Sequence, residues 1–195
     1  MKLLCALMLA LVACGGQAGV SVSTNFSVLS DSNLTITEYE DMGRDHLSPE
    51  EEAAFLNGAA PPEYSSSPAS SGKHAAQWAP CGVFREELAD IYTVHSLEHG
   101  AVIIFYRPDL PEQEIVQLED LVRELATHII VMPRTDLSSP IVLAAWGRLG
   151  VMEGLDIEAI RGFWVEFAQR GPEPGVPCPL EMDQSAAAIN TSSDY

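Results

Sequence analysis

The segment Val94-His95-Ser96-Leu97-Glu98-His99-Gly100 places two imidazoles and a carboxylate within five residues, between the apolar runs Ile91–Val94 and Ala101–Tyr106. A folded interior tolerates such groups only where each finds a partner, because an unpaired buried polar group costs on the order of 2 kcal/mol. The fold must therefore bring this segment to a sheet edge or a cleft where other polar groups converge on it. The flanking runs read as strands, and the polar segment reads as the turn that joins them.

Further along, Asp109 followed by Glu112 signals a helix start, and Ile115, Leu118, Val122 and Leu125 at spacings of three and four give it one apolar face. Ile129–Met132 reads as a strand ended by Pro133, and Ile141–Trp146 as another. Asp156 caps a last helix with Ile157, Ile160, Trp164 and Phe167 on one side and Gly171 as its stop. The order strand, strand, helix, strand, strand, helix predicts one two-layer α+β domain: a mostly antiparallel sheet of about four strands with two amphipathic helices on one face. This is a ferredoxin-like variant that lacks its last strand and has an extra one in front. Ala101–Tyr106 and Ile129–Met132, if parallel neighbours, should be joined by a right-handed crossover. Upstream, Ser48, Pro49 and Glu51 form a capping-box start for a short helix that Gly58 stops.

The first residues divide the chain. Lys2 precedes roughly ten apolar residues, too few for a bilayer span but suited to a signal peptide over residues 1–13. Leu11-Val12-Ala13-Cys14 resembles the bacterial lipobox, which predicts lipidation of Cys14. The other reading is an ordinary secretory signal cut among Gly15 to Gly19. Residues 14–60 then form a tether with strand potential at Leu34–Ile36 and the short helix. Residues 61–180 form the domain, and the polar residues 181–195 a disordered tail. The expected location is the cell envelope, on the periplasmic or extracellular face of a membrane reached through the lipid anchor. Export would leave Cys81 and Cys178 in an oxidising compartment, where they most simply form a disulfide. Asn25, Asn33 and Asn190 fit the glycosylation pattern, which matters only in a eukaryotic host. A formal net charge of −18 argues against nucleic acid and anionic membrane surfaces as partners; it would draw in cations, but its first meaning is a solvated acidic surface that keeps the protein soluble.

Several segments together resemble the family catalogued as domain of unknown function 3105, found mainly in exported bacterial proteins. They are Tyr64-Ser65-Ser66-Ser67-Pro68, Ser71-Gly72-Lys73-His74, the His95–Gly100 element running into Ile104-Phe105-Tyr106, Val131-Met132-Pro133, Ala145-Trp146-Gly147 and Gly171-Pro172-Glu173. The resemblance spans residues 62–174. It departs from the family pattern at Lys73, where proline is expected, and at Ser96, where asparagine is expected. It implies domain boundaries and no established activity.

The chemistry rests on the histidines. His74, His95 and His99 offer imidazole nitrogen, and Met132 adds a thioether if its strand lies beside the turn. That set prefers copper, Cu(I) above all, with Glu98 outside the ligands and orienting one of the histidines. Copper handling in the bacterial envelope agrees with export. His95-Ser96-Leu97-Glu98-His99 also matches the His-x-x-Glu-His arrangement of inverzincin peptidases, which requires a helix that the strand-like flanks do not leave room for. His95 or His99 as a base for Ser96 or Cys81 lacks any oxyanion or third-member signal. The expectation is a non-catalytic copper-binding protein. The other reading is an envelope interaction or scaffold protein whose His–Glu set is purely structural. His46 falls in the lead segment and His128 at a helix end, outside the expected site.

Overall fold

All five residues of Val102–Tyr106 are buried, and a strand with no solvated face has to lie inside a sheet covered on both sides. The computed structural model describes residues 33–184. In chain order the elements are β1 (Leu34–Glu38), α1 (Pro49–Leu56), β2 (Cys81–Phe84), α2 (Asp90–Glu98), β3 (Val102–Tyr106), α3 (Glu112–Leu125), β4 (Ile129–Pro133), β5 (Ile141–Ala145), β6 (Arg148–Met152), α4 (Ile157–Phe167) and β7 (Leu180–Gln184). Among the described residues the strands form one sheet in the order β1-β6-β5-β3-β4-β2-β7. β1, β6, β5 and β3 run antiparallel to their neighbours. From β3 onward the pairs β3–β4, β4–β2 and β2–β7 are parallel.

The broad α+β class is as expected, but the sheet is mixed and seven-stranded, not an antiparallel sheet of about four. It is also covered on both faces. Val102, Ile104, Val131, Ile141 and Leu143 pack under α3 and α4 with Leu118, Ile160 and Phe163. The alternate residues Ile103, Phe105, Ile130, Met132 and Ala144 face the other way, onto Ile91 and Leu97 of α2 and onto Ala75 and Ala79. Two helices do share one face, and a third layer lies opposite.

Ile91–Val94, expected as a strand, is the first half of α2. Every residue from Ile91 to Glu98 is buried, so no polar face marks a helical period, and a short apolar run reads equally as a strand. Asp109 does not cap α3. Its carboxylate accepts from Arg107 at 2.6 Å, and the helix starts after Pro111. Asp156 caps α4 by accepting from the Ala159 amide, but the helix ends at Phe167 and not at Gly171. Ser48 and Glu51 form the expected capping box of α1. The sheet draws β1 from the segment read as tether and β7 from the start of the segment read as tail.

Cys81 and Cys178 are joined by a disulfide, as expected, with their Cα atoms 5.5 Å apart and a sequence separation of 97. The bridge ties β2 to the approach to β7. For a loop of that length chain-entropy reasoning assigns about 4 kcal/mol of stabilisation. Cys14, the signal segment, Asn25 and Asn190 lie outside the described residues. Among the described residues no helix is long and apolar enough to cross a membrane.

Candidate metal centre

α2 carries His95 and Glu98, and His99 caps its C-terminal end; spacings of three and four put all three on one side. Both ends of this helix are pinned. At its start Asp90 accepts a two-pronged hydrogen bond from Arg134, a buried guanidinium that also donates to Asp136 at 2.6 Å. At its end the Gly100 carbonyl accepts from the Gln169 amide at 2.7 Å, and the Glu98 carbonyl accepts from the Glu173 amide at 3.0 Å. The approach is so close that a Cβ at Gly100 would stand 2.6 Å from the Gln169 Cα, and one at Gly171 would stand 2.1 Å from the Glu98 oxygen. Only glycine fits at either place, and Gly100 also adopts φ +85°. This clamp carries Glu173 to the helix end.

Two further histidines arrive from upstream. His74 and His46 form a parallel β-bridge, in which Leu47 N–H donates to the His74 carbonyl at 2.7 Å and His74 N–H to the Asp45 carbonyl at 3.1 Å. The rings of His46, His74 and His95 then stand mutually 4.8–5.0 Å apart, centroid to centroid. His99 lies 4.5 Å beyond His95, and Trp78 turns its edge to both at 5.4 and 5.1 Å.

The tautomers follow from the hydrogen bonds. Nδ1 of His74 is 2.8 Å from the Gly72 carbonyl, and Nδ1 of His95 is 2.8 Å from the Ala75 carbonyl. A carbonyl can only accept, so both Nδ1 atoms carry the proton and both Nε2 atoms present a lone pair. A backbone carbonyl holding the far nitrogen of a histidine is the arrangement found behind metal ligands. Nε2 of His74 is buried without a hydrogen-bond partner and faces Glu98 Oε2 at 3.0 Å. Two acceptors at that distance need a proton or a cation between them.

Burial sets the charge states. It pushes the Glu98 carboxyl up to about 7, with nearby Glu173 adding to the rise and Arg44 opposing it. It lowers His95 to about 3, and it lowers His74 and His99 as well. At neutral pH these three imidazoles are uncharged, the form in which histidine binds a metal.

One donor atom each from His46, His74, His95 and Glu98 lies within 4.8 Å of all the others; a second such group is Glu98, His99 and Glu173. Tetrahedral ligands with bonds near 2 Å stand roughly 3.4 Å apart, so small side-chain rotations would close either group on an ion. Of the residues expected at the site, His74, His95 and Glu98 come together. His99 stands beside them in the adjacent group. Glu98, expected to orient a ligand histidine, belongs to both groups as a donor in its own right. Met132 is fully buried in β4 within the apolar layer that contains Phe105 and Leu97.

His46 and Glu173 escape sequence reasoning. His46 is exposed and sits in a stretch with no regular pattern, and only the bridge to His74 recruits it. The helix that the His-x-x-Glu-His motif requires is present after all, yet His95 and His99 fall into different donor groups. Ser96 Oγ donates to the Ala79 carbonyl at 2.7 Å and Cys81 is in the disulfide, so neither is placed as a nucleophile. His128 bonds Thr127 and the Val176 carbonyl, outside both groups.

A family model described as protein of unknown function (DUF3105) matches residues 58–180, a span that contains every residue of the two groups except His46. No curated protein and no solved structure matches the chain.

Proposed function

The chain belongs to the family described as protein of unknown function (DUF3105), and we propose that it is a non-catalytic metal-binding protein that holds a divalent transition-metal ion through His46, His74, His95 and Glu98. One observation carries the reading: the buried, partnerless Nε2 of His74 facing the Glu98 carboxylate, with a second imidazole lone pair beside it. Three imidazole nitrogens and one carboxylate oxygen suit Cu(II), which heads the affinity order of the divalent ions, and also tetrahedral Zn(II). The preference for Cu(I) expected from the sequence depends on the Met132 thioether, which packs among apolar side chains. Glu98 faces a ligand nitrogen instead of an open position, which favours binding over hydrolysis. The signal-like N-terminus, the lipobox at Cys14 and the disulfide support an exported, lipid-anchored form.

The test is titration of the purified protein with Cu(II) or Zn(II) against a competing chelator. Wild type should take up an equivalent tightly at this group, and H74A and H95A should lose it. Equal, weak binding by wild type and both variants would end the metal reading. A protonated Glu98 donating to His74 Nε2 would then satisfy the pair, leaving the His–Glu set structural in an envelope interaction or scaffold protein. Globomycin-sensitive processing tests the anchor.

A further inference from the structure

Glu98 stands in both donor groups, and the second of them has no role in the site proposed above. We propose that Glu98, His99 and Glu173 hold a second divalent cation, so that the Glu98 carboxylate bridges two ions, one oxygen to each. This inference rests on the metal reading of the first group and extends it to a dinuclear centre.

The His99 side chain is only 9% exposed, and its Nδ1 has no hydrogen-bond partner. Its Nε2 lies 3.8 Å from Glu173 Oε2, too far for a hydrogen bond but right for two ligands of one ion. A carboxylate oxygen of Glu98 and one of Glu173 lie within 4.8 Å of each other, which sets two acidic groups side by side. The Arg44 guanidinium reaches Glu173 no nearer than 3.8 Å and is itself more than half exposed. A divalent ion between the carboxylates would relieve the repulsion and take up the Nε2 lone pair of His99. Two ions sharing such a carboxylate stand about 3.5–4 Å apart, which adjacent groups with a common member allow.

The two positions differ in chemistry. The inner group is rich in nitrogen. The outer has one nitrogen and two carboxylates, a harder set that suits Zn(II) or Mn(II) better than a soft ion. Half-exposed Glu173 opens it to solvent, so the outer ion should be the weaker and more exchangeable of the two.

The experiment is Zn(II) titration of the full chain at neutral pH, with metal counted after equilibrium dialysis. Wild type should bind two equivalents, the second at least tenfold more weakly. The E173Q variant should bind one equivalent with the tight phase unchanged. R44A, which removes the competing cation, should tighten only the weak phase. One equivalent in wild type would overturn the second ion while leaving the first standing; none would overturn both. Two equivalents in E173Q with unaltered affinity would also overturn the assignment. Glu173 and Arg44 are both largely exposed, so neither substitution threatens the fold.

Discussion

His74 Nε2 and Glu98 Oε2 lie 3.0 Å apart with both atoms buried, and the only proton on the His74 ring is committed to the Gly72 carbonyl. The pair is therefore frustrated whenever Glu98 is ionised and no cation is present. An amide in place of the carboxylate can donate to Nε2 and removes the charge. E98Q should stabilise the metal-free protein at pH 8 by about 1 kcal/mol and abolish tight metal uptake. Chemical denaturation in chelator and metal titration of the same sample check both halves. A variant that loses stability while it loses metal would contradict the frustrated pair.

Stability of the metal-free protein should fall on acidification. His95 protonates near 6.5 in the unfolded chain but only near 3 in the fold, so between those values the unfolded state holds more protons and each pH unit lost costs about 1 kcal/mol. His74 and His99 are lowered too and act in the same direction. Glu98 opposes them: its folded value of about 7 lies above the ordinary 4.5, so it holds a proton in the fold between those values and contributes stability as pH drops through that window. Below 4.5 the offset is exhausted. Urea midpoints measured in chelator should therefore decline below about pH 6.5 and most steeply below 4.5, and H95A should flatten the curve. A midpoint that rises steadily toward pH 4 would refute this.

Gly171 should not accept a side chain. A Cβ there would stand 2.1 and 2.5 Å from the backbone oxygens of Glu98 and Leu97, so the clamp at the end of α2 would have to open. G171A should cost about 3 kcal/mol and weaken metal uptake as the clamp releases Glu173. G154A, where a Cβ meets nothing within 4 Å, serves as the control and should be within about 0.5 kcal/mol of wild type. Thermal unfolding of the two variants side by side decides it.

The bridge between Cys81 and Cys178 should be present in the isolated protein and worth about 4 kcal/mol, read as the stability lost in the C81S/C178S double variant. Intact mass without reductant should show no thiol available to alkylation at either position. Two alkylated cysteines there would remove the bridge.

Elements that alternate or carry one apolar face are legible from the sequence. β3, β4 and β5 stand out because their runs are apolar and bounded, and α3 and α4 because Leu118 and Ile160 recur with neighbours at helical spacing. α2 does not, since a helix buried all round has no periodic contrast. Gly82 and Gly150 break the apolar runs of β2 and β6, and β7 carries Glu181, Asp183 and Gln184 among its five residues. At the site, His74, His95 and Glu98 declare themselves by polarity in an apolar context. His46 and Glu173 are recruited by backbone pairing far along the chain, with His74 in one case and Glu98 in the other, and no local pattern encodes that. Met132 has suitable chemistry, but it is buried in the apolar layer with Leu97 and Phe105.

β1 can complete its pairing only after β6 has been made. Leu34 finds its partner only in Met152, so the strand translated first among these elements has to wait, edge unprotected, until nearly all the others have been synthesised. Long-range closure of this kind is slow. Until it happens, the nascent chain exposes a β-rich edge open to the wrong neighbour.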